Sequence, residues 1–214
     1  MEKQLNELRK SYEKSALLES SLPGKPYELF ERWFEETRSN DQIEEANAMG
    51  IVTIGDDGFP KSRIVLLKEK QEDSFVFYTN YTSEKAQAID ANSHVAIHFF
   101  WPALERQIII KAMAAKVPDE QSINYFNSRP RGSQLGAWTS HQSSVISSRE
   151  ELETLEQFYT KKFEGTDVPR PDFWGGYECK AVSYEFWQGR PNRLHDRFLF
   201  EKVDNQWQAK RLAP

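Results

Sequence analysis

The chain has 214 residues, 38% hydrophobic, 29% charged and 13% aromatic, with six Trp and a formal net charge of −5. That length favours one large domain over two small ones, and the acidic balance argues against generic nucleic-acid binding, which shows as a basic excess. The single cysteine, Cys179, excludes an intramolecular disulfide and a thiolate zinc site; with no apolar run of membrane-spanning length and a polar N-terminus unlike a signal peptide, a cytoplasmic chain without a membrane partner is expected.

Residues 1–21 read as an N-terminal arm, mobile or loosely docked as a helix, with Leu5, Leu8, Tyr12 and Ala16 at helical spacing. Residues 22–214 read as a single domain. Pro26 opens a helix through Arg38 whose apolar stripe is Leu29, Phe30, Trp33 and Phe34. A short helix is expected near Asp41–Ala48. Strands then follow: Met49–Gly55 and Pro60–Lys68 around an Asp56-Asp57-Gly58 turn, then Phe75–Asn80. A helix over Ser83–Ala91 precedes strands Val95–Trp101 and Arg106–Val117. Helices are expected at Asp119–Ser128, Ser133–Trp138 and Ser148–Phe163, and a turn region at Pro169–Gly176. Strands Tyr177–Gln188, Leu194–Val203 and Gln206–Leu212 close the chain, the last two joined at Asp204-Asn205. Strands joined mainly by hairpins, with helices in blocks, predict a mainly β α+β fold: an antiparallel barrel with peripheral helices.

No glycine-rich phosphate loop and no G-x-S-x-G elbow is present. The histidines lack metal-ligand spacing, and His94 and His98 fall in a strand, so no metal is expected. Polar and cationic residues instead gather at the edges of apolar elements. Near the C-terminus, Arg193, His195 and Arg197 alternate, and in an extended strand they would share one face while Leu194 and Phe198 turn away. Such a face fits an anionic, planar partner, and it also fits a solvated edge strand. The same two readings apply to Arg63–Lys68. Further groups are Phe77–Ala86, where a strand runs into a helix start beside Lys85, then Arg106-Gln107, Tyr125–Trp138 and Gln142-Ser143-Ser144. Tyr125–Trp138 supplies Tyr, Arg and Ser donors suited to a phosphate.

Taken in order, R-I-V-L-L-K, F-Y-T-N, E-R-Q, Y-F-x-S-R-P-R-x-S-Q-x-G-A-W, H-Q-S-S, F-W-G-G, E-F-W-Q-G, R-L-H-D-R-F and the terminal R-L-A-P resemble the pyridoxine/pyridoxamine 5′-phosphate oxidase family, from about Leu8 to Pro214. The resemblance implies an FMN-binding split β-barrel, homodimeric, with FMN at the subunit interface. It implies oxidation of the 4′ carbon of pyridoxine or pyridoxamine 5′-phosphate, with hydride transfer to the flavin. Reoxidation by O2 would give H2O2, and the amine substrate would also release NH3.

By matching position, the resemblance assigns FMN to Arg63, Ile64, Val65, Leu66, Leu67, Lys68, Tyr78, Thr79, Lys85, Gln107, Gln142, Ser143, Trp187 and Arg197. Arg63 and Lys85 suit the flavin phosphate, and Gln107 the isoalloxazine edge. Substrate phosphate falls to Lys68, Tyr125, Arg129 and Ser133, and the pyridine ring to Arg193, Leu194 and His195. Arg193 and His195 take the catalytic role, orienting the ring and easing proton removal. Arg9 and Tyr12 match an arm that closes over substrate, although Lys10 and Ser11 depart from the pattern. Asp196 is expected in a structural ion pair. The family usually has a basic residue at position 84, where this chain has Glu84; the carboxylate is expected either to turn into solvent or to weaken FMN binding. Two other readings are a non-catalytic flavin- or pyridoxal-phosphate-binding split barrel, and a reductase using a deazaflavin or nicotinamide donor. The second phosphate clamp favours the oxidase over both.

Overall fold

The computed structural model describes residues 4–7 and 10–214. Its helices are α1 (Pro26–Arg38), α2 (Glu84–Ala91), α3 (Asp119–Ser128), α4 (Arg131–Thr139) and α5 (Arg149–Lys162). Its strands are β1 (Ala48–Ile54), β2 (Pro60–Leu66), β3 (Glu69–Gln71), β4 (Ser74–Asn80), β5 (His94–Trp101), β6 (Arg106–Lys116), β7 (Trp174–Gln188), β8 (Asp196–Val203) and β9 (Gln206–Leu212). The strands form one sheet in the order β2-β1-β5-β6-β7-β4-β3, with β8 beside β7 and β9 beside β8. The pairs β3–β4, β4–β7, β7–β8 and β8–β9 are antiparallel. This is the mainly β, antiparallel architecture that the hairpin pattern predicts. The chain divides into two compact units, one of Met1–Ile51, Ala96–Ala112 and Ala181–Pro214, the other of Val52–Val95 and Met113–Lys180.

In the first unit, α1 starts with Pro26 at its first turn, where a missing N–H costs nothing. Its stripe is buried against aromatic strand residues: Phe30 lies 5.4 Å from Phe99, and Trp33 meets Phe186 edge-on at 5.4 Å. The β8–β9 hairpin turns at Asp204 (φ 50°) and Asn205 (φ 61°), the left-handed pair of a type I′ turn.

Two expectations fail in this unit. Residues 41–47 are turns, not a helix, because the Asn40 side chain accepts the Gln42 N–H (2.9 Å) and so competes with helix hydrogen bonds. The arm is not helical over residues 10–18 either. Its N–H groups are taken by carboxylates: Glu13 and Lys14 donate to Glu105 at 2.8 and 3.0 Å, and Leu17 donates to Asp196 at 3.0 Å. Glu105 is 1% exposed and also pairs with Lys10 at 3.2 Å. Burial works to raise its pKa, but the Lys14 N–H, the Lys10 ammonium and the Glu13 N–H outweigh it and hold the group below its ordinary value. Residues 10–18 are thus a docked, irregular segment.

In the second unit, the turn after β1 closes through Gly55 N–H to Phe59 O (3.0 Å) with Gly58 at φ 78°. Strand β3 escapes sequence reading because it is short, polar and lies at the sheet edge. Strand β7 begins at Trp174, three residues before the predicted start, with Tyr78 opposite Gly176 and Asn80 opposite Trp174. The pair Gly175-Gly176 reads as a turn in the sequence but serves close packing. A Cβ on Gly175 would lie 2.1 Å from the Tyr81 hydroxyl, and one on Gly176 would lie 2.8 Å from the Tyr78 ring. Gly175→Ala should therefore destabilise the protein by about 1–3 kcal/mol. A thermal melt checks this, with Tm expected to fall by roughly 2–4 °C per kcal/mol. Helices α3 to α5 close over a cluster of Phe126, Leu135, Phe163, Val168 and Trp174.

Candidate functional site

Strand β2, the end of β4, the start of α2, the α3–α4 corner and residues 140–143 surround a cavity of about 690 Å³ in the second unit. Strand β2 contributes Lys61, Arg63, Ile64, Val65 and Leu66, followed by Lys68. Leu67 does not line it; its side chain is 5% exposed and belongs to the core.

The cavity lining includes a cationic pair, Arg63 and Lys85. Lys85, buried at the first turn of α2, donates through Nζ to Gln142 Oε1 (2.7 Å), Thr79 Oγ1 (3.2 Å) and Ser83 Oγ (3.3 Å). Thr79 Oγ1 itself donates to Gln142 Oε1 at 3.0 Å. Arg63 donates through Nη1 to Thr53 Oγ1 and to the Lys61 carbonyl, both at 2.8 Å. Burial, then the Arg63 charge, pushes Lys85 down to about 8, with Glu84 opposing. Burial likewise lowers Arg63, again against Glu84. Two cations forced together out of water are stabilised by an anion between them. Ser143, at φ 73°, accepts the Glu84 N–H at 3.3 Å.

Arg129 lines the same cavity with different partners. Its guanidinium lies over the Trp174 ring (4.6 Å) and near that of Phe126 (5.6 Å). Its Nη1 is buried with no hydrogen-bond partner, and burial lowers its pKa. A buried unmet donor of this kind costs about 1–3 kcal/mol until an acceptor arrives. Tyr125 and Ser133 line the cavity with it. Tyr78 and Tyr125 stack at 3.9 Å and 15°, and Tyr78 stacks on Trp174 at 5.5 Å. Burial raises the pKa of both phenols, Tyr78 further through the Glu69 carboxylate, to which it donates at 2.5 Å. Both stay protonated at neutral pH.

The remaining sequence-predicted residues lie in the first unit. Trp187 and His195 are 4.6 Å apart, and Tyr12 meets both edge-on at 5.6 and 5.8 Å. Arg197 is engaged by Glu185 (3.0 and 2.7 Å) and by the Ala213 carbonyl (2.8 Å). Gln107 is half-buried on β6, and Arg9 lies outside the described residues.

The strand alternation expected for Arg193, His195 and Arg197 does not hold. A 3-10 turn spans Pro191–Arg193, Asn192 and Arg193 have φ of 57° and 64°, and β8 starts only at Asp196. Pro191 cannot donate to a ladder, so pairing stops short of it. Leu194 is 69% exposed. Asp196 makes its expected ion pairs, with Arg211 at 2.8 Å and Arg190 at 3.4 Å. His195 Nδ1 accepts the Arg190 N–H at 3.1 Å, so a neutral ring carries its proton on Nε2. Burial, then Arg193, lowers the His195 pKa against the opposing Asp196.

Lys61, Ser140 and Trp174 line the cavity without having been placed in a candidate group from the sequence, whereas Asn80, Gly136 and Ala137 fall within the groups Phe77–Ala86 and Tyr125–Trp138 but had no role assigned. The F-W-G-G run was the available signal for Trp174. Nothing in the sequence pairs Lys61 with Glu84, 23 residues away.

Two family profiles match the chain: "Pyridoxamine 5'-phosphate oxidase" over residues 36–160 and "Pyridoxine 5'-phosphate oxidase C-terminal dimerisation region" over residues 174–214. A protein of Christiangramia forsetii named pyridoxine/pyridoxamine 5′-phosphate oxidase is 54% identical over 218 residues, covering 100% of both chains. One of the same name from Flavobacterium johnsoniae is 53% identical over 210 residues, 98% of each. Among solved structures, PhzG from Burkholderia lata, in complex with tetrahydrophenazine-1-carboxylic acid, superposes with TM-score 0.85 at 24% identity, covering 93% of this chain and 98% of that one. A pyridoxamine 5′-phosphate oxidase-related, FMN binding protein from Nostoc punctiforme gives TM-score 0.69 at 15% identity, covering 94% and 100%. At these identities the structures speak for the shared split-barrel fold.

Proposed function

The chain belongs to the pyridoxine/pyridoxamine 5′-phosphate oxidase family, and from that premise we propose that it is an FMN-dependent oxidase forming pyridoxal 5′-phosphate from pyridoxine or pyridoxamine 5′-phosphate. The observation that carries this reading is one cavity lined by two cationic groups with different partners, Arg63–Lys85 beside Thr79 and Gln142, and Arg129 over Trp174. A flavin carrier needs one phosphate site; an enzyme acting on a phosphorylated substrate beside FMN needs two.

In this reading Arg63 and Lys85 hold the flavin phosphate, with Thr79, Gln142 and Ser143 around it. Arg129, Tyr125, Ser133 and Lys68 hold the substrate phosphate, where the unmet Arg129 Nη1 finds its acceptor. FMN, when bound, would supply the hydride acceptor, with O2 as the final oxidant forming H2O2, and the oxidised amine substrate would take up water to give the aldehyde and NH3. The chain's own part is orientation, which is worth up to roughly 7–11 kcal/mol in well-aligned reactions. Gln107, Trp187, Arg193, Leu194, His195 and Arg197 complete the flavin and pyridine contacts in a homodimer, in keeping with the dimerisation-region match. Tyr12, packed on Trp187 and His195, excludes water there. His195 orients the substrate as an Nε2–H donor, since its Nδ1 is already an acceptor.

The test is oxygen uptake. Protein supplied with FMN should consume O2 and form an aldehyde when given pyridoxine or pyridoxamine 5′-phosphate; binding of FMN with no turnover on either would overturn the oxidase reading. In the same assay kcat/KM should fall on the acid side as His195 charges and releases the Arg190 N–H. Because the His195 pKa is lowered, that limb should lie below the ordinary histidine range, and His195→Asn should remove it.

A further inference from the structure

Glu84 is the first residue of α2 and lines the cavity together with Arg63 and Lys85. Its charge acts on both cations. A carboxylate there opposes any phosphate seated between them. Lys61, two residues before Arg63 on β2, reaches across and donates to both carboxylate oxygens, at 2.7 and 2.6 Å. The charges of Lys61, Arg63, Lys85 and Glu84 then sum to about +2, matched to the roughly −1.5 to −2 of a phosphate monoester. Without Lys61 the sum is about +1.

We propose that Lys61 is a positioning residue for the flavin phosphate, acting through Glu84: it holds and neutralises a carboxylate that would otherwise repel the cofactor. This rests on the reading that the Arg63–Lys85 pair takes the FMN phosphate. Lys61 and Glu84 are 59% and 50% exposed, so the pair adds little to stability by itself; its effect falls on the anion.

The experiment is a double-mutant cycle on apoprotein, titrated with FMN and with riboflavin and followed by quenching of flavin fluorescence. Lys61→Met should weaken FMN binding about fivefold, on the order of 1 kcal/mol, in the otherwise unchanged chain. In a Glu84→Gln background the same change should weaken it less than about twofold. Riboflavin affinity should move in neither, and Lys61→Arg should bind FMN as the unchanged chain does. Equal weakening in both backgrounds would show Lys61 acting by its own charge and overturn the proposal, as would no weakening in either. Should the unchanged chain bind FMN no more tightly than riboflavin, the phosphate site itself is wrong, and the proposal falls with it.

Discussion

Replacing Arg129 with methionine should raise KM for pyridoxine 5′-phosphate by about 100-fold, near the upper end of what a charged hydrogen bond contributes. FMN affinity should stay within about twofold, because the Arg63–Lys85 pair is untouched. The expectation follows from Nη1, a buried donor with no partner, and from a guanidinium held 4.6 Å over the Trp174 ring. That contact restrains the planar guanidinium, so less rotamer freedom remains to be lost when phosphate binds. The thioether of methionine can still pack on the Trp174 ring, so the apoprotein's Tm should not fall. Steady-state kinetics and an FMN titration of the same variant separate the outcomes. Unchanged KM, or a loss of FMN affinity instead, would remove Arg129 from the substrate phosphate.

FMN affinity should fall as pH rises above about 8, by about tenfold per unit while Lys85 loses its proton. The sign follows from which form binds. In the free protein Lys85 titrates near 8 because burial and Arg63 oppose its charge, whereas a bound phosphate favours the charged form. Binding therefore takes up a proton above that pH and weakens as protons become scarce. Lys85→Met should weaken FMN about 100-fold at pH 7, abolish the slope, and leave riboflavin affinity unchanged. The same depression has a stability consequence. The unfolded chain, at 10.5, holds the proton that the folded apoprotein releases near 8, so apoprotein stability should rise with pH between those values. A flat FMN affinity between pH 7 and 9.5 would contradict the assignment of Lys85.

Much of this was legible in the chain. The α1 stripe, the Asp56-Asp57-Gly58 and Asp204-Asn205 turns, and the order of the strands follow from periodicity and turn chemistry. The family motifs brought Arg63, Tyr78, Thr79, Lys85, Tyr125, Arg129, Ser133 and Gln142 into consideration, and all of them line one cavity. What failed depended either on partners distant in sequence or on local backbone geometry that spacing does not report. Tyr12 and its neighbours show helical spacing, yet the buried carboxylates of Glu105 and Asp196 take the arm's N–H groups. Arg193 and His195 alternate in the sequence, yet Pro191 and two left-handed residues keep them out of the strand. Trp174-Gly175-Gly176 reads as a turn because glycine usually marks one; here its missing Cβ makes room for Tyr81 and Tyr78. Glu84 looked like a lost cation, and only the fold shows Lys61 bound to it.

The most direct measurement is a crystal structure of the protein grown with FMN and pyridoxal 5′-phosphate. The expected result is the flavin phosphate on Arg63 and Lys85, and the second phosphate within hydrogen-bond distance of Arg129 Nη1. A flavin phosphate seated on Arg129, or a second phosphate bound outside this cavity, would contradict the two-anion site.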